Sequence, residues 1–508
     1  MDIDDLLNYI NDDNSETEKK KKKKKKKKNK TNEDENIEEK NVIDNKEDEK
    51  IINNIEEKKE DIPVKNSQSK KHKKQKKVYL PKNINTDNEN NSTNIPYPIR
   101  ENKYRNLIKP SENIEIVESR FQDNSHLRLI KNWEEKSDLN PYFQTNFPTK
   151  SIDEQYTSLD SFSTGLIQDY NENNIWRSNN EEKKELEKYY KYTITSMRKA
   201  AECHRQIRKY AQTLLKPGIV LIDFVKKLEN MLKFITNAND LECGQSFPTG
   251  VSINNIAAHD TPNSNDNTVL KYDDVMKLDF GTHINGYVID CAFTVAFNPE
   301  YDQLLKCSQE ATATGIKNAG IDMRLGELGG YIQEVIESYE VEIKGKVHKI
   351  KPIKDLCGHN MLRYHVHGEK SIPLYKNDED NSLMEEGELY ACETFVTTGK
   401  GVTKELRHCS HYMKDNLAFN NTKIKSSQPK SLFKYIDEHY STLAFCPRWL
   451  EEGGNTNVQK SLNYLCNIGV VNPYPPLADI EGSYVAQFEH SFMLRPTCKE
   501  IFSIGDDY

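Results

Sequence analysis

Two aspartates, Asp279 and Asp290, interrupt stretches that are otherwise β-rich: Met276-Lys277-Leu278-Asp279-Phe280 and Val288-Ile289-Asp290-Cys291-Ala292. Between them, Asn285-Gly286 is the signature of a tight type I′ turn. If those two residues form the loop, Ile284 faces Tyr287 and Asp279 faces Ala292. Asp290 then lies two positions from Ala292, on the same face as Asp279. The two carboxylates become diagonal neighbours, roughly 7–8 Å apart at the backbone. Side chains from there can converge on a pair of ions about 3.5–4 Å apart. Burying two acids without compensation is costly. For these two alone, a salt-bridged or solvent-facing pair weighs as much as a functional site.

More acids shift that balance. Glu393 sits inside Leu389-Tyr390-Ala391-Cys392-Glu393-Thr394-Phe395, and Glu489 inside Val485-Ala486-Gln487-Phe488-Glu489-His490-Ser491. One acid in each of four strand-like runs suits a site built across a sheet. Four such carboxylates repel one another unless cations join them, and two divalent cations supply the matching charge. The histidines are less telling. His259 follows Ile256-Ala257-Ala258, His359 follows Gly358, and His367 follows Val366. A lone histidine is more often structural than catalytic. His365 and His367 would share a strand face, so spacing does not choose between them. There is no HExxH motif, no GxSxG elbow and no GxxxxGK[ST] loop. Chemistry by a lone nucleophile therefore loses ground to metal-assisted hydrolysis.

Several elements must position these groups. Ser178-Asn179-Asn180 followed by Glu181-Glu182 offers a helix start. Leu186, Tyr190, Ile194, Met197 and Ala201 recur at helical spacing, and the helix should stop before Lys216-Pro217-Gly218. A second amphipathic helix is expected near 222–235. The period then changes to two, with strands over 275–284 and 287–297. A helix fits near 301–319, strands recur at 388–398 and 483–494, and 430–467 reads as helical. The class is α+β with a largely antiparallel sheet.

The two ends of the chain differ in composition. Residues 1–100 hold 25 Lys and Arg against 22 Asp and Glu, and only 21 apolar residues. Such a segment cannot bury enough apolar surface to offset the entropy of ordering it, and disorder is expected over about 1–110. Lys19 to Lys28 is an unbroken lysine run, and a second basic cluster spans Lys70 to Lys77. These read as solvated low-complexity sequence, or more sharply as a nuclear-localisation signal or an arm touching ribosomal RNA. Residues 111–174 carry Phe121, Trp133, Tyr142 and Phe143 without sustained period, and a partly ordered linker is expected. The remainder is acidic, which argues against broad nucleic-acid binding by the folded part. Neither a signal peptide nor a membrane-length apolar run is visible. All 10 cysteines lie between Cys203 and Cys498 without a CxxC pair, as reduced core residues do.

At these residues the sequence resembles the type 2 methionine aminopeptidases. The matching stretches are Phe247-Pro248-Thr249-Gly250-Val251-Ser252, Ala257-Ala258-His259, Leu278-Asp279-Phe280-Gly281-Thr282-His283, Ile289-Asp290-Cys291-Ala292-Phe293-Thr294, Cys409-Ser410-His411-Tyr412-Met413-Lys414, Asn472-Pro473-Tyr474-Pro475-Pro476-Leu477 and Gln487-Phe488-Glu489-His490. The resemblance covers roughly 175–508. It implies the pita-bread (creatinase/aminopeptidase-like) fold, with a helical insert at about 410–475. It implies Asp279, Asp290, His359, Glu393 and Glu489 as ligands of two divalent ions (Co²⁺, Mn²⁺, Fe²⁺ or Zn²⁺), Asp290 and Glu489 bridging both. It selects His367 over His365 and pairs it with His259 as substrate-facing histidines. Glu393 becomes the proton shuttle. Phe247, Val366, His411, Ala444 and Tyr474 become walls of a methionine pocket.

The implied reaction is removal of the initiator methionine from nascent polypeptides when the second residue is small. A cytoplasmic monomer is implied, with the extension reaching the ribosome or a translation initiation factor. Two positions depart from the family: Asp260, where an aromatic is commoner, and Cys357, where Asn is more usual and where a reactive thiol is conceivable. A non-catalytic ribosome- or RNA-binding relative is disfavoured because all five ligand positions hold ligating residue types. An Xaa-Pro aminopeptidase is disfavoured by the Ala257-Ala258-His259 stretch, the insert and the chain's ending.

Overall fold

The computed structural model describes residues 100–107, 147–171, 173–415 and 424–508. The lysine run, the second basic cluster and Phe121, Trp133, Tyr142 and Phe143 lie outside them. A short strand, β1 (Leu166–Gln168), precedes the first long helices and pairs with a strand near the chain's end. It falls within the stretch read as a linker. Three residues are too few to show a period.

Asn180 caps α1 (Glu181–Tyr189) by accepting from the Lys183 amide at 3.1 Å. α2 (Lys191–Leu214) follows directly, so the single helix expected here is divided at Tyr190. It stops before Lys216-Pro217, where proline brings no amide. α3 (Leu221–Thr236) ends on Asn237 in the left-handed region, φ 49°.

β2 (Cys243–Ile253), β3 (Met276–Ile284) and β4 (Tyr287–Val295) form one antiparallel sheet. Asn285 and Gly286 both have positive φ, 51° and 80°, which a type I′ turn requires. The register follows from that turn: Ile284 faces Tyr287 and Asp279 faces Ala292. α2 packs on this sheet, the His204 ring stacked on Phe280 with centroids 4.1 Å apart.

α4 (Asp302–Asn318) and α5 (Leu325–Glu337) open the second half. β5 (Cys357–Met361) and β6 (Leu389–Thr397) belong to a second antiparallel sheet. Between β5 and β6, residues 362–368 form a turn rather than the strand expected for His365 and His367. Leu362 and His365 exchange backbone hydrogen bonds of 3.0 and 2.8 Å, and Tyr364 is left-handed at φ 62°. Period-two spacing cannot register such a reversal.

The insert opens and closes on β7 (His411–Lys414) paired antiparallel with β8 (Val471–Tyr474). Within it lie α6 (Ser427–His439), α7 (Pro447–Glu452) and α8 (Val458–Asn467). Leu432, Ile436, Phe445, Trp449, Leu462 and Leu465 give it a core of its own. β9 (Val485–Leu494) and β10 (Lys499–Ile501) complete the second sheet, in the order β1-β10-β9-β6-β5 followed by Ser371–Pro373.

The two halves meet along β4 and β9. The Asp290 amide donates to Ser491 Oγ at 2.9 Å, and that hydroxyl donates to the Asp290 carbonyl at 2.7 Å. Thr294 and Gln487 repeat the device: Thr294 Oγ1 donates to the Gln487 carbonyl at 2.8 Å and accepts from its amide at 2.7 Å. α4 covers the second sheet, where Ser308 Oγ donates to the Thr394 carbonyl at 2.9 Å and Thr312 Oγ1 to that of Phe488 at 2.8 Å. Each half is thus a sheet backed by helices, and the sheets join at β4 and β9, which carry Asp290 and Glu489.

Candidate metal centre

The register of these strands brings the acids together. Asp279 on β3 and Asp290 on β4 point to one face, as the turn dictates. Glu393 on β6 lies directly opposite Glu489 on β9, and Ala391 opposite His359 on β5. Ligand atoms of Asp290, His359 and Glu489 all lie within 4.8 Å of one another. His359 Nε2 is 3.6 Å from Asp290 Oδ2 and 3.8 Å from Glu393 Oε1. These are spacings left for an ion rather than for direct hydrogen bonds.

The electrostatics agree. Burial, then the neighbouring Asp279, pushes the Asp290 carboxyl well above the usual carboxylate range. Burial followed by Asp290 does the same for Glu393 and for Glu489. Burial raises Asp279 to about 6 and lowers His359 to about 4, so the imidazole is neutral and free to ligate. Both oxygens of Glu489 and Oδ1 of Asp279 have no hydrogen-bond partner among the described residues. Buried acceptors are seldom left so. Hard oxygen donors plus one neutral imidazole fit two borderline divalent cations.

Gln487 is a site residue that strand patterning did not single out. Its Nε2 donates to Glu393 Oε2 at 2.9 Å and reaches Asp279 Oδ2 at 3.3 Å, tying one acid from each half. A signal existed. Residue 487 lies two before Glu489 on the same strand, hence on the same face.

The other expected residues lie on several elements. His367 stacks on His359 with centroids 3.8 Å apart, beside the buried Val366. His259 stands 5.8 Å from the His411 ring and 6.1 Å from that of Tyr474, and His411 and Tyr474 are register partners. Burial lowers His259 to about 4 and His411 to about 3. Burial and His359 hold His367 well below the usual imidazole range. His259 is half-buried and His367 exposed. Phe247 lies over Gly281, where a Cβ would overlap both Phe247 and Ser246. Ala444 is buried beside Phe445, whose backbone exchanges 2.9 Å hydrogen bonds with Tyr412 next to His411.

The two departures also resolve. Asp260 Oδ1 is 3.1 Å from His408 Nε2, a partner an aromatic would not offer. Burial pushes the Cys357 thiol up, and Glu393 adds to this, which favours the protonated form.

Comparisons with known proteins give the family. Residues 195–412 match the model of metallopeptidase family M24. Methionine aminopeptidase 2A of Arabidopsis thaliana is 52% identical, over 72% of this chain and 82% of the relative. Methionine aminopeptidase 2 of Dictyostelium discoideum is 48% identical, over 72% and 83%. A solved structure of a thermophilic Arx1 is 17% identical with a TM-score of 0.52, covering 61% of this chain and 90% of that one, a likeness of fold alone. The fold is the pita-bread fold, and the chain belongs to the methionine aminopeptidase 2 branch of metallopeptidase family M24.

Proposed function

We propose that Asp279, Asp290, His359, Glu393 and Glu489 hold the dinuclear divalent-metal centre of this metallo-aminopeptidase. The enzyme removes initiator methionine from nascent proteins. The observation that carries the ligand assignment is the buried carboxylate cluster whose acceptor oxygens lack partners. Bound divalent cations offset the carboxylate charge and lower the pKa of water towards neutrality.

The protein's own groups supply the rest. Glu393 holds a proton readily, because burial and Asp290 raise its carboxyl. That suits it to carry a proton from the attacking water to the leaving amine. Gln487 keeps that carboxyl aimed. His259 and His367, neutral at pH 7, contact the scissile carbonyl and amide and stabilise the charge that develops there. Phe247, Val366, His411, Ala444 and Tyr474 enclose the methionine side chain. Cleavage is confined to substrates whose second residue is small.

The catalytic domain spans about 175–508, including the insert at about 410–475. The lysine-rich extension, outside the described residues, serves contact with the ribosome or an initiation factor. Among the described residues no helix is long and apolar enough to cross a membrane. We place the enzyme in the cytoplasm as a monomer.

The test offers the full chain, with Mn²⁺ or Co²⁺, Met-Gly-, Met-Leu- and Ala-Pro-peptides. Met is expected from the first only, and Asp290→Ala should lower the rate at least about a thousandfold. Release of Ala from Ala-Pro would favour the Xaa-Pro reading. No turnover with any divalent metal would favour a binding protein.

A further inference from the structure

Ser410, the residue before β7, makes contacts that the proposed chemistry does not use. It is fully buried. Its Oγ accepts from the Thr261 amide at 3.2 Å. The same oxygen lies 3.2 Å from the His259 carbonyl oxygen and 3.2 Å from His411 Nδ1. A hydroxyl has one proton to give and can accept as well. The amide takes a lone pair, and the proton goes to the carbonyl or to the ring. One side chain therefore joins both ends of the 259–261 segment to His411. A second tie runs beside it: His408 Nε2, on a half-exposed ring, lies 3.1 Å from Asp260 Oδ1.

His259 is a residue that needs holding. Its φ is +64°, a left-handed conformation that a non-glycine residue keeps only where its surroundings impose it. The direction of its ring depends on that backbone.

Resting on the reading of His259 as a substrate-facing group, we propose that Ser410 is a positioning residue. It fixes the left-handed backbone of His259 and the ring of His411 relative to each other. The Asp260–His408 pair is a weaker outer tie. The insert thus does more than wall the methionine pocket. Through Ser410 and His411 it sets the angle at which His259 meets the scissile bond. Without the hydroxyl, the Thr261 amide loses its buried partner, the His259 carbonyl loses one of its partners, and residue 259 relaxes. A displacement of about an ångström at a reacting group is enough to cost a large factor in rate.

The test uses the full chain with Mn²⁺ and a Met-Gly-peptide. Ser410→Ala should lower kcat roughly 10–100-fold, with a smaller change in KM and unchanged Mn²⁺ affinity by calorimetry. In a His259→Ala background the same change should add no more than about twofold, because the two act through one group. His408→Ala should cost about twofold, as an exposed pair does. Amide exchange at Thr261 should quicken in Ser410→Ala. A wild-type rate for Ser410→Ala, or a full additive loss on His259→Ala, would overturn the proposal. If Ser410→Ala does not fold, Ser410→Cys, close in shape but weak in hydrogen bonding, carries the same cycle. If the unaltered chain releases no Met, the aminopeptidase reading falls, and Thr261 exchange alone then decides whether Ser410 holds the segment.

Discussion

The strand floor and the insert solve opposite problems. The floor places Asp279, Asp290, Glu393 and Glu489 where strands are otherwise apolar, and leaves acceptor atoms unpartnered. The insert buries aliphatic and aromatic side chains around Phe445 and Trp449, as an ordinary small core does. Its buried charges are matched. Arg448 and Glu229, each 1% exposed, form a two-bonded pair of 2.6 and 3.0 Å, and Trp449 Nε1 donates to the same carboxylate at 2.9 Å. The Arg448 guanidinium outweighs burial and holds Glu229 below its usual value. One region leaves buried acceptors open, and the other has its buried charge matched by Glu229 of α3.

That contrast can be broken at either side. The largest stability effect is expected at the insert's anchor. Glu229→Gln leaves the buried Arg448 guanidinium with only the longer 3.7 Å contact to the half-exposed Glu452, which should cost about 3 kcal/mol in urea unfolding. Mn²⁺ affinity of the folded fraction should not change. If affinity falls in parallel, the two regions are not independent. Next comes Gln487→Ala, which frees one acid from each half. Metal affinity by calorimetry should weaken roughly 10–100-fold, with urea stability altered by no more than about 1 kcal/mol. An unchanged affinity would show that the strands alone aim the carboxylates.

The smallest effect concerns acid, and it lies under the floor. His204 is fully buried, its Nε2 is 2.9 Å from the Phe280 carbonyl, and burial followed by Arg208 keeps its pKa well below the usual value. The unfolded chain therefore binds a proton there that the folded chain refuses. Stability is full above about pH 6.5 and falls as pH drops below it. Thermal midpoints should drop by roughly a few degrees between pH 7 and pH 5. His204→Phe, which keeps the stack on Phe280, should reduce that drop. An equal drop in both proteins would place the acid sensitivity elsewhere.

The same contrast explains what the sequence disclosed. A two-residue turn fixes register, so Asn285-Gly286 by itself puts Asp279 and Asp290 on one face. Glu393 and Glu489 stood out because an acid in a strand-like run is costly. Gln487 is uncharged and bears no mark of cost in a strand, although its position two before Glu489 carries the information. His367 and Ser410 lie outside regular strands, where no period exists to read. The resemblance, not spacing, selected His367. The separation of α1 from α2 at Tyr190 had no visible mark.

The hydroxyl of Ser491 clasps Asp290 from 201 positions further along the chain. Closing so long a loop is entropically slow to reward, and contacts of this range set folding rates more than they set stability. The cluster should therefore assemble late and as a whole. A chain that has formed its first sheet holds Asp279 and Asp290 in register, yet has no Glu489 to set against them. Metal capture should follow the docking of β9 in refolding experiments, and the ions would act as a seal on a finished fold rather than as a seed for it.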